Sequence, residues 1–261
     1  MTTTKKKTEP ELAPATISEH DGVRYLHLGT PWVQGAMNLK KPAALELEYI
    51  QRMMAWMLLR PAGELARGHA VQLGLGAGAI TRFTQGVMKM KTTVVELNPT
   101  VIGVNRAFFR LPAEGARFQV LEMDAQHYVD EVAEPGSADV LCVDLYDHEA
   151  ASPVLDSEAF YRGCARLLAE GGVMSVNLFG RDASFVRSAR RIAAAFEGGT
   201  VISLQPTREG NTVVLALKHG DVPEREELVQ RAQQIDTRYG LPARKWLRMI
   251  RPLPGEPSET A

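Results

Sequence analysis

A glycine loop set between two apolar runs constrains this chain more than any other feature. Val71-Gln-Leu-Gly-Leu-Gly-Ala-Gly-Ala79 leads an apolar run into a Gly-x-Gly-x-Gly turn. Val94-Val95-Glu96-Leu97-Asn98-Pro99 then ends a second run on an acid, 22 positions after Gly74. Glycines at 74, 76 and 78 let the backbone come close to a ligand, and the helix that follows presents free N–H groups there. An acid closing the next strand accepts hydrogen bonds from both hydroxyls of a ribose. The spacing describes a pocket for an adenosine-containing cofactor.

The rest of the chain sets bounds on that pocket. Its 261 residues suffice for one large core. A net charge of −1 creates no field favouring nucleic acid or an anionic membrane, and no apolar run reaches the length of a membrane span. Cys142 and Cys164 both sit among apolar residues, which suits buried thiols in a reducing compartment better than a disulfide or a metal pair. The basic start, Met1 to Lys7, has no apolar core behind it and does not read as a secretory signal, so the expected location is cytoplasmic.

Short apolar runs alternate with amphipathic helices, the pattern of a doubly wound α/β fold with a mostly parallel, seven-stranded sheet. Strands are expected at 70–74, 92–96, 117–121, 138–143 and 173–178, and two more at 200–205 and 212–218 make a closing antiparallel hairpin at the sheet edge. Helices are expected over 78–88, after Pro99, over 157–169 with Gly171-Gly172 as its stop, and over 182–196. Ahead of this body, Val23 to Met37 reads as a small β segment. Pro42 opens a helix ending near Pro61, with Leu45, Tyr49, Met53, Trp56 and Met57 at helical spacing. The organisation is therefore a disordered tail (1–20), a β segment and helix (21–60), a nucleoside-binding body (61–220), a helical extension (221–251) and a second disordered tail (252–261).

A dinucleotide enzyme also fits Gly74-x-Gly76-x-x-Ala79. Two later acids favour a different ligand. Asp124 follows the third strand and Asp144 ends the fourth, and the carboxyl ends of adjacent parallel strands line one crevice. The order of a glycine loop, Glu96, Asp124 and Asp144 is similar to that of class I S-adenosylmethionine-type transferases. Asp124 reads equally well as the N-cap of its helix.

Over residues 23 to about 218 the chain resembles the spermidine synthase (polyamine aminopropyltransferase) family. Val33-Gln34-Gly35 and Glu46-Leu-Glu-Tyr49 match that family's N-terminal features, and Asp124-Ala125 matches its nucleoside site. Asp144-Leu-Tyr-Asp147 matches its active-site loop. The resemblance implies that Gln34, Gly74, Gly76, Gly78, Glu96, Asp124 and Ala125 hold decarboxylated S-adenosylmethionine. It also implies that Asp144 is the base, that Asp147 anchors a small-molecule amine such as putrescine, and that Tyr49 orients it. No metal, nucleic acid or membrane is implied, and the resemblance admits a homodimer. The chain departs from the family at Ala77, where an Asp normally holds the aminopropyl ammonium. Its late loop, Thr207-Arg208-Glu209, lacks a tyrosine and brings a cation towards the site. Three readings stay open: an aminopropyltransferase, a methyltransferase using intact S-adenosylmethionine, and a non-catalytic nucleoside-binding relative.

Overall fold

The computed structural model describes residues 12–146, 155–179 and 183–253; Asp147 and most of both expected tails lie outside them. Strands β1 (Ala15–His20), β2 (Val23–Leu28) and β3 (Gly35–Asn38) form an antiparallel sheet. After α1 (Glu48–Met53) and a 3-10 turn (Met54–Leu58), the main body alternates strand and helix. Its elements are β4 (His69–Leu73), α2 (Ala79–Thr81, continued as a wider turn over Arg82–Val87), β5 (Lys91–Glu96), α3 (Pro99–Phe108), β6 (Phe118–Glu122), α4 (Ala125–His127) and β7 (Ala138–Val143). There follow α5 (Glu158–Leu167), β8 (Leu168–Phe179), α6 (Ala183–Ala195), β9 (Thr200–Leu204) and β10 (Asn211–Leu217). The chain ends in α7 (Arg225–Tyr239), α8 (Ala243–Trp246) and β11 (Ile250–Pro252).

The main sheet has eight strands in the order β11-β9-β10-β8-β7-β4-β5-β6. Strands β6, β5, β4, β7 and β8 run parallel, and β10, β9 and β11 are antiparallel additions. Chain order reverses between β4 and β7. Ligands bind at such a switch point in an open α/β sheet, outside the carboxyl ends of the strands. Both faces are covered, which is why β4 and β7 read as nearly unbroken apolar runs. One face packs Met53, Trp56 and Met57 with Ile235 and Trp246. The other packs Tyr128, Phe160, Tyr161 and Ile192. A third cluster joins Leu26 and Met37 of the N-terminal sheet to Leu75, Ala77, Val101 and Phe109, so this sheet roofs the glycine loop. Among the described residues no helix is long and apolar enough to cross a membrane.

Five local expectations are corrected. Residues 15–20 are not tail but β1, which pairs with β2 from Ala15↔Leu28 to His20↔Val23. The link is Asp21-Gly22, both at positive φ (50° and 76°), the primed two-residue turn that Asp-Gly favours. Since β1 is almost wholly exposed, it shows no apolar alternation. The span 23–37 is two strands, broken at 29–34. Pro42 does not open a helix: helical structure starts only at Glu48, and the Pro42 carbonyl accepts from Arg82 Nε at 2.7 Å. Gly171-Gly172 does not stop α5 but lies inside β8. There the register with β7 jumps from Ala138↔Leu168 to Val140↔Val173, a bulge that packs Gly172 against the Ala138 carbonyl. The expected closing hairpin is present but is not the edge, since β11, an eighth strand, pairs with β9 from Ile250↔Leu204 to Pro252↔Ile202.

Candidate active site

Each turn of the glycine loop is fastened from below. Gly74 sits at φ 87°, and a Cβ there would lie 2.2 Å from the Asp144 carbonyl, so only glycine allows β4 and β7 to meet this closely at their ends. Asp144 N donates to Leu73 O (2.9 Å) and Gly74 N to Val95 O (2.8 Å). Gln72 Nε2 donates to Gly74 O (2.7 Å), Asn105 Nδ2 to Gly76 O (2.7 Å) and Arg82 Nη1 to Ala77 O (2.5 Å). The loop is held in shape before any ligand arrives.

Glu96 belongs to that scaffold. Its Oε2 accepts from Leu75 N and its Oε1 from Asn98 N, both at 2.8 Å. Burial pushes its carboxyl above the usual value, against the pull of these backbone donors. Each oxygen keeps a second lone pair, enough for the two hydroxyls of a ribose. Asp124 is exposed and caps α4, its Oδ1 accepting from His127 N at 2.9 Å, while the neighbouring Ala125 is buried. The capping role is thus the one this geometry displays for Asp124.

Asp144 stands at the switch point with two donors. Tyr49 OH donates to Oδ2 at 3.2 Å and Asn177 Nδ2 to Oδ1 at 2.9 Å. Burial drives the carboxyl upward, and these two hydrogen bonds act against it. Tyr49 in turn is held well above its ordinary value, first by burial and then by the adjacent Asp144 charge. Tyr146 OH donates to the Asn177 carbonyl at 2.9 Å and accepts from Phe179 N, which pins the chain just beyond Asp144 to β8.

A pocket opens between these groups. Gln34, Tyr49, Ile50, Gly76, Ala77 and Asp144 are among the residues that line it, and Asp144 is its carboxylate among the described residues. Gln34 occupies the link between β2 and β3, its N–H bonded to Leu26 O at 2.8 Å. Ala77 is only 3% exposed, and a Cβ on Gly35 would lie 2.6 Å from its methyl. The strand β3 therefore sits directly on the position where the family carries an acid. In the late loop it is Thr207 that is buried, while Arg208 and Glu209 face solvent, so the expected cation does not line the pocket.

The structure thus gathers Gln34, Tyr49, Gly76 and Asp144 around one cavity, with Glu96 holding Leu75 of its wall; Gly74, Gly78, Asp124 and Ala125 are not among the residues that line it. Gln72, Asn105, Asn177 and Asn211 are the residues that sequence reasoning missed. Their signal was present for two of them: Gln72 and Asn177 are polar residues inside apolar strands, where a buried amide must find partners.

Residues 74–205 match the spermine/spermidine synthase domain model. The chain is 34% identical over 227 residues to the polyamine aminopropyltransferase of Neisseria meningitidis, covering 86% of this chain and 84% of that one. A probable spermidine synthase from Corynebacterium glutamicum superposes with a TM-score of 0.69 at 21% identity, over 95% of both chains. Human methyltransferase-like protein 13 in complex with SAH superposes at 0.63 and 21% identity, over 82% of this chain and 97% of that one. The last two share the fold. The chain belongs to the spermine/spermidine synthase family.

Proposed function

We propose that this chain is an aminopropyltransferase that moves the aminopropyl group of decarboxylated S-adenosylmethionine to a polyamine such as putrescine, releasing methylthioadenosine. The observation that carries the reading is Asp144, a half-buried carboxylate held by Tyr49 and Asn177 at the mouth of the glycine loop. The 34% identity to a polyamine aminopropyltransferase over most of both chains supports it.

The chemistry asked of these residues is deprotonation and alignment. A free alkylammonium titrates near 10.4, so the acceptor arrives protonated and cannot attack. Asp144, its basicity raised by burial, takes one proton from the ammonium. The freed nitrogen lone pair attacks the propyl carbon beside the sulfonium. The C–S bond breaks with its electron pair going to sulfur, the product nitrogen leaves as a secondary ammonium, and Asp144 passes the one proton it took to solvent. Tyr49 orients the attacked end, and Asp147, outside the described residues, anchors the other ammonium. Glu96 takes the ribose hydroxyls, Gly74, Gly76 and Gly78 line the path of the transferred chain, and Asp124, Ala125 and Gln34 bound the nucleoside.

Ala77 favours a second reading, because a loop without an acid does not repel the carboxylate of intact S-adenosylmethionine. Calorimetric titration with decarboxylated and intact S-adenosylmethionine, with methylthioadenosine as control, separates the two. Preference for the decarboxylated form, strengthened by putrescine, is the expected result. Preference for the intact form moves the chain to methyl transfer.

A further inference from the structure

We infer that Asn211 is a positioning residue for Asp144, acting through Asn177 to lock the carboxylate in its acceptor orientation. The inference rests on the reading of Asp144 as the base.

Three strand ends meet at this point. Asp144 follows β7, Asn177 lies near the end of the parallel neighbour β8, and Asn211 opens β10. Because β10 runs antiparallel to β8, its first residue lies at the same rim as the carboxyl ends of the other two. Val213 is the direct partner of Asn177, so Asn211 is its diagonal neighbour on the same face.

The hydrogen bonds run in one direction along this rim. Asn211 Nδ2 donates to Asn177 Oδ1 at 3.1 Å, and Asn177 Nδ2 donates to Asp144 Oδ1 at 2.9 Å. An ionised carboxylate only accepts, so Asn177 must turn its NH2 towards Asp144 and its oxygen away. That oxygen then requires a donor, and Asn211 supplies one. Asn211 is itself pinned at the backbone: its N–H donates to Thr207 Oγ1 (3.2 Å) and its carbonyl accepts from Thr207 N (2.8 Å). Thr207 Oγ1 lies 3.5 Å from Asn211 Oδ1, which turns the amide oxygen to that side and the NH2 to Asn177.

The remaining titratable neighbours do not supply this orientation. Tyr49 donates to the other carboxylate oxygen from α1. Cys142, on β7 two residues before Asp144, is pushed up to about 12, and Tyr146 is pushed up well beyond its usual value, so both stay neutral. Without Asn211, Asn177 is free to present its oxygen to Asp144, and the carboxylate loses a donor that opposes burial.

The test is the titration of the Asp144 carboxyl, followed by carbon-13 NMR of aspartate-labelled protein and assigned by its loss in Asp144→Asn. In Asn211→Leu the midpoint is expected to rise by about one pH unit, and the acid limb of kcat/KM for decarboxylated S-adenosylmethionine and putrescine to rise with it. Asn211→Gln keeps an amide donor and should restore most of the shift. Asn211→Val, β-branched and without a donor, repeats the test if the leucine variant does not fold. A midpoint that stays put in a folded variant overturns the inference, as does a uniform loss of rate at every pH. If Asp144→Asn keeps nearly full activity, the reading of Asp144 as the base fails, while the titration still decides whether Asn211 governs that carboxyl.

Discussion

At the scale of single residues, Asp144 is arranged as a base rather than as half of an ion pair. Its hydrogen-bond partners among the described residues are the neutral groups of Tyr49 and Asn177. A guanidinium in their place would stabilise the charge and drain its basicity. Asp144→Asn should lower kcat by about 10²–10⁴-fold while methylthioadenosine binding persists, read by steady-state kinetics and calorimetry. Tyr49→Phe removes one donor from a half-buried carboxylate, a contact worth about 1.5–3 kcal/mol, so kcat/KM should fall by at least about tenfold near neutrality and its acid limb move up. Ala77→Asp tests whether the missing family acid can be put back. Its carboxylate would be driven against Gly35 in a buried position, so the variant should lose about 1–3 kcal/mol in urea titrations rather than gain affinity for an ammonium.

At the scale of elements, the strand ends were legible and the connections between them less so. The glycine loop, Glu96 and Asp144 sit where periodicity placed them, because a parallel strand buried on both faces announces itself as an apolar run that stops at a polar residue. Strand β1 was invisible to apolar pattern, being exposed and held by main-chain pairing, although Asp21-Gly22 did carry a turn signal. Ahead of α1, the Pro42 carbonyl is held by a distant side chain, Arg82, a contact that no local pattern carries. Asp124 shows how an element end serves two masters. Asp124→Ser should keep the cap on α4 and hold stability within about 0.5 kcal/mol. Its shorter reach should weaken methylthioadenosine binding if Asp124 also meets the adenine. Unchanged binding in calorimetry would leave it a cap alone.

At the scale of the whole molecule, stability and function pull against each other through the two site carboxyls. Glu96 and Asp144 both titrate above their ordinary values, burial being the first cause for each. A raised carboxyl contributes stability that is complete below the unfolded value, near 4, and is lost as pH rises through the folded one. Asp144→Asn should therefore gain stability relative to the natural chain at pH 8, and the gap should close towards pH 4.5, as measured by paired urea titrations. A gap independent of pH would contradict that burial. By itself the sequence determined the parallel α/β body, the glycine loop and the acids at its strand ends, because those depend on local period and on which residues stop an apolar run. Only the tertiary structure decided that β3 closes over Ala77, that Tyr49 reaches Asp144 across 95 positions, and that Asn177 and Asn211 stand in line behind it. Those contacts join strands and loops far apart in the chain, and only the packed fold brings their partners within hydrogen-bonding distance.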